Sequence, residues 1–141
     1  MAIGDALSPL KAACYAALTA DATTMSLVTG IFDGEAPVNQ PFNYITMDQD
    51  TQVSDNVMGK GGRECTITFG IWTQGSMGSK VTLSILDAMT KALDHKSLTL
   101  STATPAQICT WAELDNYNSL QETDGLTYHG IPRFRFKTQE V

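Results

Sequence analysis

The chain has 141 residues, of which 43% are hydrophobic and 17% charged, and its formal net charge is -6. That length buries roughly two-thirds of the unfolded surface, enough for a core without staples, and the composition excludes a disordered protein. The acid excess excludes a general grip on nucleic acid, because affinity for phosphates depends on cations displacing counterions.

Cys14, Cys65 and Cys109 are odd in number and widely spaced, which fits neither a secreted disulfide framework nor a paired zinc motif. They point to a reducing cytoplasm. No basic cluster precedes an apolar stretch at the N-terminus and no run of about eighteen apolar residues occurs, so neither signal peptide nor membrane span is expected.

Ser8-Pro9 reads as an N-cap followed by proline at the first helical position, after which Leu10, Cys14, Ala17 and Leu18 recur at helical spacing. Asp21 predicts the cap of a shorter helix carrying Met25 and Val28 and ending at Gly30 in the left-handed conformation. Ile31-Phe32-Asp33 is a brief extended piece, Pro37 and Pro41 frame a linker, and Phe42 to Met47 has the aromatic and β-branched content of a strand. Residues 48–63 carry Asp48, Asp50, Asp55, Lys60 and Arg63 among glycines with little periodic apolar content. They are expected to form a long mobile loop or a hairpin extension, either a solvated tip or a segment that orders on assembly.

Cys65 to Trp72 alternates cleanly, with Cys65, Ile67, Phe69 and Ile71 on one face. Residues 74–78 read as a turn and Ser79 as the cap of a helix whose Val81, Ile85, Leu86, Met89 and Leu93 form one apolar stripe. After a polar stretch from His95 to Pro105, Gln107 to Leu114 reads as a strand on which Cys109 and Trp111 share a face. It pairs with the terminal strand across the Asp124-Gly125 turn. The expected fold class is α+β: one domain over residues 1–141, with a single antiparallel, or mixed, sheet packed by two or three helices.

The terminal strand places Phe134 and Phe136 on one side and Arg133, Arg135 and Lys137 on the other, so three of the chain's nine Lys and Arg residues share one stripe. Such a stripe serves as the solvated face of an antiparallel sheet and discourages edge-to-edge aggregation. It also serves as a contact surface for a partner.

Little else announces chemistry. His95 and His129 lie at no zinc-site spacing from cysteine or carboxylate, and both are expected to be solvated. Gly59-Lys60-Gly61-Gly62-Arg63 lacks the phosphate-loop pattern and precedes a strand, not a helix. Asp48, Asp50 and Asp55 lack calcium-loop spacing. No catalytic, cofactor-binding or metal-binding residue is expected.

The order of elements nevertheless resembles the tail-completion, or tail-terminator, family of long-tailed bacteriophages, prophages and gene-transfer particles. The resemblance is carried by the Leu7-to-Leu18 helix with Leu27 to Asp33 after it, Pro41-Phe42-Asn43-Tyr44-Ile45, and the strand ending Ile71-Trp72-Thr73. The Val81-to-Leu93 helix, Asp124-Gly125-Leu126-Thr127-Tyr128-His129 and Arg133-Phe134-Arg135-Phe136 complete it. It implies a binding protein, not an enzyme: a hexameric ring of copies of the chain that caps the tail tube, stops its growth and presents a surface for head joining.

The implied partners are the chain itself, the tail tube protein and a head-completion or connector protein, with DNA passing through the ring and no membrane involved. The implied location is the virion tail or neck, after synthesis in the host bacterial cytoplasm. Arg133, Arg135 and Lys137 on one subunit and Asp48, Asp50, Asp55, Lys60 and Arg63 on the next form the candidate interface, on charge complementarity. The nearest rival is another neck component, a head-closure or head-tail adaptor protein. Rivals of other classes are a thiol enzyme using Cys109 and His129, and a ligand-binding domain with a deep apolar pocket.

Overall fold

Asp5, not Ser8, starts the first helix in the computed structural model of the protein, which describes residues 5–56, 59–75, 79–100 and 106–141. Its carboxylate accepts from the backbone N–H groups of Leu7 and Ser8, at 2.9 and 3.1 Å, so two of the four open donors at the helix start are satisfied one turn earlier than expected. Helix α1 spans Leu7–Ala20 and buries Pro9, Leu10, Cys14 and Leu18. Helix α2, Ala22–Leu27, is capped by Asp21 as expected, with the Thr24 N–H donating at 3.0 Å. Gly30 does not take up a positive φ. A side chain there would press a Cβ to 2.8 Å from the Phe32 ring, so close approach and not chain reversal is what suits glycine.

Strands β1 (Ile31–Asp33), β2 (Tyr44–Ser54), β3 (Gly62–Gln74), β4 (Leu98–Leu100), β5 (Gln107–Gln121) and β6 (Thr127–Glu140) form a six-stranded sheet in the order β1-β2-β3-β6-β5-β4. The short β1 runs parallel to β2 and every other pair is antiparallel, so the sheet is mixed within an α+β fold. Both edges are strands of three residues, too short to template another chain along their length. Of residues 48–63, the described ones carry β2 on to Ser54 and begin β3 at Gly62, where a long loop or hairpin extension was expected, and the polar residues 115–121 extend β5 in the same way.

Helix α3, Lys80–Leu93, lies on the sheet through Ile85, Ala88, Met89 and Leu93. Ser79 precedes it in helical backbone conformation and makes no side-chain cap bond. The expected turn at 76–78 and the end of the 95–105 stretch lie outside the described residues. At the far end of α3, the His95 N–H donates to the Ala112 carbonyl at 2.6 Å and Asp94 Oδ1 accepts from the Leu114 N–H at 2.8 Å, which ties the helix end to β5.

All three helices cover one face. Ile45, Met47, Cys65, Ile67, Phe69, Ile71, Phe134 and Phe136 from the sheet meet Leu10, Leu18, Ile85, Met89 and Leu93 from the helices in one continuous core. The Phe69 and Phe134 rings meet edge to face with centroids 5.7 Å apart, a favoured aromatic geometry. Thr73 and Thr82 satisfy each other's hydroxyls at 2.8 Å where β3 passes beneath α3.

Candidate interface on the open face of the sheet

The face turned away from the helices carries two sets of side chains, one charged and one aromatic. Strand alternation delivers Arg133, Arg135 and Lys137 to it while Phe134 and Phe136 enter the core, as the terminal sequence predicts. Their side chains remain 45%, 40% and 49% exposed, yet each has a partner within the subunit. Arg133 donates through Nε and Nη2 to one Asp115 oxygen, at 2.9 and 2.6 Å. Arg135 binds Glu113, with its Nε at 3.1 Å, and stands 3.9 Å from Glu64. Lys137 lies 3.8 Å from Asp55 at the tip of the β2–β3 hairpin.

The Arg135 hydrogen bonds hold the Glu113 carboxyl below its ordinary pKa and raise that of Arg135. Lys137 and Asp55 are thus the members of the candidate interface that the fold brings together. Asp50 points toward the helices and accepts from Lys11 Nζ at 2.9 Å, so it belongs to a different surface from the cationic stripe. Lys60 is exposed at the hairpin tip, and Arg63 is half-buried with a guanidinium N–H donated to the Gly62 carbonyl.

Three bulges shape this face. The ladder register shifts at Asp48 in β2 and at Thr110 and Asp115 in β5. A bulge adds one residue that faces no partner and re-aims the side chains around it. Two of these extra residues are carboxylates, and both act on the open face, Asp115 on Arg133 and Asp48 beside His129. The shift at Thr110 also turns Trp111 to the open face while Cys109 stays buried, so these two do not share a face.

The aromatic set lies toward the other end of the strands. Tyr44, Trp72 and His129 are neighbours in register on β2, β3 and β6, and Phe42 precedes them. Ring centroids are separated by 5.3 Å from Phe42 to Tyr44, 6.3 Å from Tyr44 to Trp72, and 3.7 Å from Trp72 to His129. His129 is covered, not solvated: its side chain is only 15% exposed, and the indole stacks on the imidazole. Its Nε2 and Nδ1 each stand 3.9 Å from a carboxylate, of Asp48 and Glu122 respectively.

Burial penalises the Asp48 carboxylate, but His129 and the Thr46 hydroxyl, which donates at 2.6 Å, outweigh it and hold the Asp48 pKa below its ordinary value. Sequence reasoning missed this row, because Tyr44, Trp72 and His129 meet only through the register of three strands. The alternation of Trp72 against Ile71 was its one visible sign.

Nucleophilic chemistry has little footing. Burial raises all three thiols, Cys65 up to about 12, so the reactive thiolate is disfavoured. Cys109 pairs in register with Thr138 and faces the helices, whereas His129 lies at the start of β6 on the opposite face. Among the described residues no three of His, Cys, Asp and Glu are placed to hold a metal ion, and no helix is long and apolar enough to cross a membrane.

The protein is thus a mixed sheet with helices on one face and an open, charge-paired and aromatic second face. The chain belongs to the family described as tail completion protein gp17, whose model matches residues 12–139, and it is therefore a structural component of a virion tail. Its fold is similar to that of a chain in a solved structure titled "Virion of native gene transfer agent (GTA) particle", with a TM-score of 0.82 and 19% identity over 96% of this chain and 99% of that one. No curated protein matches the sequence.

Proposed function

We propose that six copies of the chain close into a ring on the head-proximal end of a tail tube, ending its growth and offering the surface to which the head joins. The observation that carries this reading is the family match over residues 12–139, because completing a tail requires a subunit that recognises the tube's last ring and accepts no further one. A particle chain of the same fold, aligned over nearly its whole length, supports assembly into a virion.

A closed ring needs two different surfaces on each subunit, so that head-to-tail contacts close by rotation. The open face offers one, with Arg133, Arg135 and Lys137. The β2–β3 hairpin tip, with Asp55, Lys60 and Arg63, adjoins that stripe through the Asp55–Lys137 pair, and the helix side of the hairpin, where Asp50 meets Lys11, offers another. The internal pairs of the stripe are exposed enough to exchange for a neighbour's carboxylates at small cost, since exposed ion pairs contribute only about 0–1 kcal/mol. The net charge of -6 suits a ring through which DNA passes, because a like-charged wall does not retain it.

Electron microscopy of particles made without this chain tests the proposal. Over-long or irregular tubes detached from filled heads are expected. Tails of normal length beside separate heads would move the protein to the head side of the joint, the role of a head-closure or adaptor protein, and intact infectious particles would overturn both readings.

A further inference from the structure

Beside the aromatic row, the 34–42 segment folds over the open face and encloses a cleft of about 680 Å³. That volume lies within the range of sites that hold small ligands or peptide side chains. The wall is fixed: Gln40 Nε2 donates to Thr29 Oγ1 at 3.0 Å, and the Thr29 hydroxyl donates to the Pro41 carbonyl at 2.7 Å. Phe42, Tyr44 and Trp72 supply aromatic surface, and the charged groups lining the cleft are the carboxylates of Glu35 and Asp48. Asp48 uses one oxygen on Thr46, and its other oxygen faces His129 across 3.9 Å, so acceptor capacity remains. Gly70 lies beneath, where a Cβ would fall 2.5 Å from Asp48 Oδ2 and 2.8 Å from Trp72 Nε1, so these groups sit directly over bare backbone.

We infer that this cleft receives an arginine carried on an extended segment of another virion protein. The chemistry selects that occupant. An aromatic floor alone accepts any apolar group, but aromatic surface beside carboxylates favours a cation. Arginine fits better than lysine because its planar guanidinium stacks on rings while its fork of donors engages a carboxylate. No lysine or arginine lines the cleft to compete for Asp48 or Glu35, and His129 faces Asp48 from outside it across 3.9 Å. The inference does not rest on ring formation, and the isolated subunit can be tested directly.

The experiment follows the indole N–H resonances of Trp72 and Trp111 while acetyl-Pro-Arg-Pro-amide is added, with the citrulline peptide as its uncharged counterpart. Trp111 lies outside the cleft and reports nonspecific effects. A saturable shift of Trp72 is expected with the arginine peptide, weakened roughly tenfold or more with citrulline or in Asp48→Asn, as loss of a charge-assisted contact predicts. Glu35→Gln, at an exposed loop position, is expected to weaken binding by a smaller factor and keeps the test intact if Asp48→Asn does not fold. An unmoved Trp72 at about 10 mM peptide, far above the concentration a built site requires, overturns the inference. So do equal shifts with both peptides, or a Trp72 shift that follows protein concentration alone, which assigns the cleft to a second copy of the chain.

Discussion

The two faces of the sheet are made by the same strands and obey different physics. The covered face is a dry core in which Phe69, Phe134 and Phe136 have no exposed surface, and its thiols are kept neutral by burial. The open face keeps its arginines and lysine at 40–49% exposure, neutralises them one by one within the subunit, and gathers its aromatics into a separate row. Core burial is worth kilocalories per side chain, whereas exposed ion pairs are worth little. Stability therefore resides on one face, and the other is left free of that demand.

The largest expected effect breaks that comparison at one strand. Phe134→Ala removes a fully buried ring and should destabilise the subunit by about 3–5 kcal/mol, while Arg135→Ala one position away should leave stability close to the parent's. Urea unfolding of the two variants decides it, and comparable losses would mean that the open face contributes to stability as the core does. A second test uses the same substitution on both faces. Gly130→Ala drives a Cβ to 2.6 Å from Thr82 Cγ2 on α3 and 2.9 Å from the Tyr117 hydroxyl, inside packed structure. Gly70→Ala meets the Asp48, Thr46 and Trp72 side chains on the open face, where the 36% exposed Asp48 has solvent to move into. Overpacking predicts a loss of about 1–3 kcal/mol for Gly130→Ala, with a smaller loss for Gly70→Ala and a changed Trp72 environment by fluorescence.

The same division explains what could be read from the sequence. The α3 stripe and the alternation of Cys65 to Ile71 and of Phe134 and Phe136 were legible because the core imposes periods of 3.6 and 2 on residues that enter it. The second half of β2 and residues 115–121 of β5 carry few apolar side chains, so their strand character comes from neighbouring backbones and left no such period. Bulges at Asp48, Thr110 and Asp115 are properties of two strands in register, which is why Trp111 and Cys109 were placed together and the Tyr44–Trp72–His129 row went unseen. The Asp124-Gly125 turn was legible from local chemistry: Gly125 adopts φ 73°, and Asp124 accepts from the N–H groups of Leu126 and Thr127, both at 2.8 Å.

The charged stripe sharpens the comparison from the functional side. Arg133→Gln with Arg135→Gln should leave the unfolding midpoint close to the parent's, because both side chains are substantially exposed. The yield of joined particles should fall several-fold in complementation of a deletion strain, as expected where interface charges steer association. Gln is preferable to Glu, which would face Glu113, Asp115 and Glu64 and add repulsion unrelated to assembly. Parental particle yield from the double variant would remove the stripe from the interface.

The smallest expected effect is a pH dependence confined to the carboxylates. Asp48 has a folded-state pKa below its ordinary 3.8, so its contribution is fully present above the unfolded value and is lost as pH falls through the folded one. Thermal unfolding between pH 6 and pH 2 should therefore show stability declining below about pH 4, and less steeply for Asp48→Asn. The difference should stay under about 1 kcal/mol, because the Asp48 side chain is 36% exposed and solvent screens it. Asp5, Asp21 and Asp124 shift in the same direction and remain in both proteins, so they set a common slope that the comparison subtracts. The thiols of the covered face titrate far above this window and contribute nothing to it. Identical acid limbs would mean that the Thr46 and His129 contacts do not hold Asp48 ionised in solution, and the cleft beside it would then lack its fixed charge.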